Sequence, residues 1–401
     1  MIKEIINENY ESINNDKDDC DCKREEKCKD ECIRKESIFF SGLCNPKDFD
    51  IDNGLWTEED VSGSVHVPLK KPEIEEIDSV NAKIEIINKK VIVTPGVEGV
   101  DIYNYEGKIA TGRKLIIEGL VCLTISYVSN KKDQSVHSFH GKVPFSAFIV
   151  LPNKCKEEDP LNNNFIVSSC IEDICIKSIC DRTVKLTVTF ALKANKSAMS
   201  CDKKFLSDSG IDCNKNDLDD KKECKDCIEN NKPVISGICS EEKIKDLLKA
   251  KNDKCPTSYP KLWTEISVPE VLNISFMKPD IKQILSVNSE LKILCQKVIN
   301  TPISEGANLE NLNLTGKKIV IEAVLEQRIT YVSKSNCNSV HAEHFKVPVS
   351  AYIVAPKGVE LTDKFKIVSC IEDIFVCILN DRQIFKNSTI FFKAIPIKCE
   401  K

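Results

Sequence analysis

The sequence predicts an all-β protein of two tandem antiparallel β-sandwich or barrel-like domains, each preceded by a Cys-rich, mostly irregular arm. Three observations carry that expectation. The chain repeats itself, because Ser135 to Pro152 reads SVHSFHGKVPFSAFIVLP and Ser339 to Pro356 reads SVHAEHFKVPVSAYIVAP. Inside each copy, short runs rich in Ile and Val are separated by turn residues, with no long 3.6-residue period between them. The 21 cysteines, finally, gather in large part in highly charged segments outside the repeats.

The repeat extends well beyond its best-matched stretch, and such self-similarity decides architecture before any local motif does. Trp56 returns as Trp263, Lys71-Pro72 as Lys278-Pro279, and Val80-Asn81 as Val287-Asn288. Thr111-Gly112, Tyr127-Val128-Ser129 and Asp181-Arg182 recur at Thr315, Tyr331 and Asp381. The run from Ser169 to Ile174 is rewritten from Ser369 to Ile374. The expected division is an arm over 1–53, a β-domain over 54–198, a Cys-rich linker over 199–260 and a second β-domain over 261–401.

Taken in order, the first arm opens with weakly helical spacing of Ile2, Ile5, Ile6, Tyr10 and Ile13. Then comes CDCKREEKCKDEC, from Cys20 to Cys32, in which every residue other than cysteine is charged. Such a segment cannot bury a core, so its thiols are expected to be exposed and able to react or to ligate. Strands are expected within Lys83–Val93, Lys114–Val128, Lys142–Val150 and Lys185–Leu192. Turns are expected at Thr94-Pro95-Gly96, Glu106-Gly107, Thr111-Gly112 and Ser129-Asn130. In the linker, Ser240 before Glu241 to Lys251, with Ile244, Leu247 and Leu248 on one face, predicts one short helix. The linker also echoes the first arm, since Cys32 to Cys44 and Cys227 to Cys239 have the same separation and each ends on Ser-Gly-x-Cys. The repeated unit is therefore expected to be arm plus domain.

Composition bounds the function classes. A net charge of -5 with both signs plentiful gives no electrostatic footprint for nucleic acid or an anionic membrane. No apolar run reaches the roughly 20 residues of a membrane span. The N-terminal residues lack an apolar signal core, so synthesis in a cytosol is expected. The cysteine content conflicts with a permanently reducing home, where thiols are sparse.

Catalytic and metal readings are weak. His137/His140 and His341/His344 stand three apart on expected strands, which sends the members of each pair to opposite faces. Glu172-Asp173 and Glu372-Asp373 are adjacent strand residues with no nucleophile or phosphate loop beside them. Cys213, Cys224, Cys227 and Cys239 would suit a four-thiolate zinc site, yet only one C-x-x-C is present. Cys170 and Cys370 match each other among apolar residues and are expected to be buried structural thiols. Others are unmatched: Cys122 aligns with Glu326 and Cys295 with Asn88, which places both toward solvent. Cys155 and Cys337 fall in polar loops and Cys399 in the tail. The candidate inter-subunit cross-linking set is Cys20, Cys22, Cys28, Cys32, Cys44, Cys122, Cys155, Cys201, Cys213, Cys224, Cys227, Cys239, Cys255, Cys295, Cys337 and Cys399. No cofactor motif is found, and no catalytic residue is nominated.

The Leu-Trp-Thr opening, Lys-Pro, Ser-Val-Asn, Tyr-Val-Ser and above all S-V-H-x-x-H-x-K-V-P-x-S-A resemble the SPOCS domain. That domain occurs in spore coat-associated and spore morphogenetic proteins of endospore-forming bacteria. The resemblance covers roughly 55–195 and 262–396 and implies a β-rich module used in building the spore envelope. It implies no catalytic residues. Adaptor members of the family carry a C-terminal peptidoglycan-binding LysM module, and this sequence reaches Lys401 without one. The expectation is a non-enzymatic structural protein, made in the mother-cell cytosol and deposited on the spore surface in coat, exosporium or appendage. Its expected partners are further copies of itself and other envelope proteins, with neither nucleic acid nor membrane insertion. The alternatives are a morphogenetic adaptor that recruits coat proteins, and a metal-binding or hydrolytic module.

Overall fold

A computed structural model describes residues 38–49, 54–97, 100–152, 165–196, 232–248, 261–335 and 338–397. In the first half the strands are β1 (Phe39–Ser41), β2 (Trp56–His66), β3 (Ile74–Val93), β4 (Ile102–Tyr103), β5 (Ile109–Ala110), β6 (Arg113–Ser129), β7 (Val136–Val150), β8 (Phe165–Cys180) and β9 (Thr183–Lys196). The second half holds β10 (Val234–Ser236), helix α1 (Glu241–Asp246), β11 (Trp263–Asn273), β12 (Ile281–Ile303), β13 (Thr315–Ser333), β14 (Val340–Ala355), β15 (Phe365–Asn380) and β16 (Gln383–Pro396).

Each half is a sandwich of two open sheets. Sheet order β1-β3-β6-β7 faces β2-β9-β8 in the first domain, and β10-β12-β13-β14 faces β11-β16-β15 in the second. Neither closes into a barrel, which decides between the two expected architectures. Every pairing is antiparallel except those of β1 with β3 and β10 with β12, where the arms join as parallel edge strands. The end of each arm is thus part of its domain.

Alternation along the strands builds the cores. Leu115, Ile117, Val121, Leu123 and Ile125 of β6 face Val184, Leu186, Val188 and Phe190 of β9, all buried. Ile319, Ile321, Leu325 and Ile329 meet Ile384, Ile390 and Phe392 in the second copy. Each such side chain contributes about 1.5–3 kcal/mol relative to exposure. Several repeated polar residues turn out to hold one corner. The Tyr127 hydroxyl donates to Pro72 O at 2.8 Å, and Tyr331 does the same to Pro279 O at 3.1 Å. Arg182 Nη1 donates to Lys71 O at 3.0 Å, as Arg382 Nη1 does to Lys278 O at 3.1 Å. The Asp-Arg pairs sit in the β8–β9 and β15–β16 turns and fasten the crossover that follows the first long strand.

The second core departs from the first in one layer. Lys386, fully buried at 0% exposure, lies 3.6 Å from Glu270 Oε1, and Gln327 Nε2 donates to Glu270 Oε2 at 2.8 Å. At the corresponding places the first domain has Leu186, Gly63 and Leu123. Burial lowers the Lys386 pKa to about 8 and raises that of Glu270, each opposed by the other's charge. Lys386→Leu alone strands a buried carboxyl group and should cost on the order of 3–5 kcal/mol, whereas Lys386→Leu with Glu270→Gln should lose far less. Guanidinium unfolding of the two variants checks this coupling.

Candidate functional site

Two features stand outside ordinary core packing: the attachment of the arms, and the contact between the domains. The arms come first in the chain. Beyond β1, Gly42 adopts φ +89°, and a Cβ there would fall 1.9 Å from Ala82 O. Gly237 repeats this at φ +100°, 1.9 Å from Ser289 O. Only glycine passes through so tight a turn in the left-handed region. The turn delivers Cys44 N to Ile171 O and Cys239 N to Ile371 O, each at 2.9 Å. There Cys44 is disulfide-bonded to Cys170, and Cys239 to Cys370, with Cα separations of 5.3 and 5.8 Å. Each staple joins the arm just past its edge strand in one sheet to an edge strand, β8 or β15, of the other.

This corrects two expectations. Cys44 and Cys239 are intramolecular and do not belong to an inter-subunit set; Cys170 and Cys370 are buried as expected but are half-cystines. The pairing was hidden because it depends on the arm lying parallel along β3 or β12. Cys175 is disulfide-bonded as well. Cys295 is exposed, and its thiol donates to Glu322 at 3.2 Å in the place where Asn88 donates to Glu118 at 2.8 Å. Cys122 is half-buried on the outward face, donating to Glu85 at 3.4 Å. Cys20, Cys22, Cys28, Cys32, Cys155, Cys201, Cys213, Cys224, Cys227, Cys255, Cys337 and Cys399 lie outside the described residues.

The histidines take up packing roles on opposite faces. His137 Nε2 is 3.0 Å from Ser135 Oγ and its ring centroid lies 5.8 Å from that of Tyr127, while His140 is exposed beside Thr124. His341 repeats the first arrangement with Ser339 at 2.8 Å and Tyr331 at 5.8 Å. Glu343 is engaged by Lys278 at 2.9 Å. Among the described residues no three His, Cys, Asp or Glu side chains are placed to hold a metal ion.

The domain contact is where charge is concentrated. The outward face of β3-β6-β7 lies on the outward face of β11-β16-β15, so the molecule is a stack of four sheets. Lys114 of β6, 2% exposed, forms an ion pair with Glu265 of β11 while its Nζ sits 4.0 Å over the Phe148 ring. Lys90 reaches Asp373 at 2.7 Å, and Ser267 donates to Ser146 at 3.4 Å. At one end the β4–β5 hairpin crosses to the second domain, with Asn104 Nδ2 donating to Trp263 O at 3.0 Å. Trp263, 1% exposed, stacks on Phe391 at 5.7 Å, and both are covered by Ala110 and by Ile244, Leu247 and Leu248 of the α1 segment. The helix begins where Ser240 predicts it, the Ser240 hydroxyl accepting from Lys243 N, and is shorter than the expected span.

Burial dominates the electrostatics of this contact. It lowers the pKa of Lys114 and raises that of Glu372, and their mutual attraction works against both shifts. Burial also lifts Glu118 to about 7, partly offset by Lys90. Glu372 and Asp373, read from the sequence as adjacent strand residues with no nucleophile beside them, are therefore components of the junction. A β-bulge beside Asp373, in the pairing of β15 with β16, accompanies their burial.

A family model described as SipL, SPOCS domain, matches residues 73–179 and 280–379. The chain belongs to the SPOCS-domain family. Membership ties it to sporulation, with two copies of the domain in one chain. Neither the curated proteins nor the solved structures provide a match. The matched stretches start at β3 and β12 and end within β8 and β15, so the arm strands, β2 and β11, and β9 and β16 lie outside them. Among the described residues of this SPOCS protein, no helix is long and apolar enough to cross a membrane.

Two outcomes follow from this geometry. Reduction, or Cys44→Ser, should free residues 38–49 while β6 and β9 stay folded, because the staple holds an edge strand of three residues. Hydrogen exchange should then rise in Phe39–Ser41 and remain slow in the cores. The second outcome concerns pH. Glu118 titrates near 7 in the folded chain against an ordinary 4.5, so between these values the native state keeps a proton the unfolded chain has lost. Its contribution is fully present below pH 4.5 and is lost as pH rises to 7. Glu59, also raised to about 7 by burial and by Asp60, acts in the same direction. Unfolding free energies between pH 4.5 and 7.5 should fall, and Glu118→Gln should remove roughly 3 kcal/mol of that fall.

Proposed function

We propose that this SPOCS protein is a non-enzymatic structural component of the spore surface that self-assembles and is then cross-linked by intermolecular disulfides. The observation that supports it best is the division of labour among the cysteines. The stapling thiols Cys44, Cys170, Cys239 and Cys370 are committed inside the domains, whereas Cys295 stays exposed on an open sheet face. The charged stretch around Cys20, Cys22, Cys28 and Cys32 supplies further thiols with no folding reason to be there. The buried ionisable groups Lys114, Glu118 and Glu372 lie where the two domains meet, and that contact accounts for their altered pKa values. Synthesis in the mother-cell cytosol would keep the thiols reduced until deposition in coat, exosporium or appendage, where oxidation locks the layer.

Other envelope proteins are further partners in this reading, reached through the same thiols and sheet faces. The test is electron microscopy of the purified chain with and without reductant, alongside gels run with and without reducing agent. Ordered assemblies that survive hot detergent only when oxidised support the proposal. A chain that stays monomeric at high concentration in both states overturns it. Deleting residues 1–34 should leave both sandwiches folded and make assembled material dissociate in hot detergent without reductant. Unchanged cross-linking in that truncation would shift the locking role to surface thiols such as Cys295.

A further inference from the structure

The intramolecular junction uses two different faces: the outward four-stranded face of domain one and the outward three-stranded face of domain two. Because the domains are copies, each chain also presents one unused example of each face. The unused four-stranded face belongs to domain two. There Lys318 stands where Lys114 does, 3.8 Å over the Tyr352 ring as Lys114 is 4.0 Å over Phe148. Lys297 takes the place of Lys90, and Ser350 that of Ser146. Lacking an opposite face, Lys297 turns to Glu322 on its own sheet at 3.2 Å and stays exposed.

The unused three-stranded face belongs to domain one. Glu58 occupies the place of Glu265, and Asp173 that of Asp373. Glu58 is exposed, whereas Glu265 is buried against Lys114. The sharpest contrast is in the two tryptophans. Trp263 is 1% exposed beneath the junction, and its copy Trp56 is 43% exposed on the open face.

From this we infer that a second copy of the chain is the partner of each open face. The four-stranded face of domain two docks on the three-stranded face of domain one in the next molecule, reproducing the internal junction. Lys318 would meet Glu58 and Lys297 would meet Asp173, and Trp56, at the rim of the contact, would lose part of its exposure. Charge pairing at two points supports this occupant, since Lys318 and Lys297 on one face stand opposite Glu58 and Asp173 on the other, while Glu322 and Glu326 on the first face are already met by Lys297, Lys292 and Lys346. The contact is heterologous and its two faces lie at opposite ends of the stack of four sheets, so repetition extends an open filament. One component differs: the segment 301–316 is three residues shorter than 94–112, and Asn313 N in it is bonded back to Glu106 O at 2.7 Å. The inter-chain contact therefore rests on sheet faces without the hairpin that covers Trp263. Tyr352 stays 39% exposed although its hydroxyl donates to Glu106 at 3.0 Å, so the rim of the face remains open.

This inference rests on the self-assembly reading, and the experiment separates the two. Full-length protein is prepared reduced as wild type, Lys318→Glu, Glu58→Lys and the double variant, and assembly is followed by light scattering and microscopy. Each single variant should raise the concentration needed for filaments by about tenfold or more, as opposed like charges do at an interface. An equimolar mixture of the two single variants should also form filaments, of alternating chains, because every contact between unlike variants brings opposite charges together. The double variant, with its pair exchanged, should form filaments again. Assembly should also blue-shift tryptophan emission in wild type, and not in Trp56→Phe. Single variants that assemble as readily as wild type would overturn the faces named here and leave self-assembly standing. A wild-type chain that never assembles would overturn both.

Discussion

Burial of Lys114 constrains the relative placement of everything else. A lysine removed from water needs groups that offset its charge, and for Lys114 the carboxylate of Glu265 and the ring of Phe148 come from two different domains. Glu265 therefore fixes where β11 crosses β6, and Asp373 beneath Lys90 fixes the rotation about that point. With translation and rotation set, the β4–β5 hairpin falls over Trp263 and the α1 segment fills the remaining edge. An apolar contact of the same area would hold the domains together but would specify their register less sharply. Two ion pairs and a serine pair give the junction its single solution.

The arms act at right angles to that contact. Each adds a short parallel edge strand and then crosses to the opposite sheet, so the exposed edge of β3 or β12 is covered. Closing loops of 126 and 131 residues, the staples restrict the unfolded chain more than they strengthen any local contact.

Much of this was legible from residues alone, and the reasons differ by feature. The two domains could be read because the repeat carries its own register, and the sandwich because Ile/Val runs alternate between turns. Tyr127, Arg182 and their copies were visible as repeated but not as a corner clamp, since their acceptors are backbone carbonyls that no side chain advertises. The staples were missed because Cys44 and Cys170 are 126 residues apart, and only the strand pairing of the arm brings them together. The junction was missed for the opposite reason. A duplication makes matched residues look equivalent, whereas the junction makes Trp56 and Trp263, or Glu58 and Glu265, live in different surroundings.

That loss of equivalence explains why tandem duplication suits an assembling protein. Within one chain the second domain is tethered to the first, so their contact forms at high effective concentration and is complete on folding. The same contact between chains has no tether and lacks the hairpin over the tryptophan, so it is weaker and depends on how much protein has accumulated. A weak step lets misplaced chains leave, and correct stacking can be reached before anything becomes permanent. Disulfide bonds made afterwards add no new geometry. They convert a contact set by concentration into one set by the rate of reduction, which is the form of resistance an envelope exposed to heat and solvent requires.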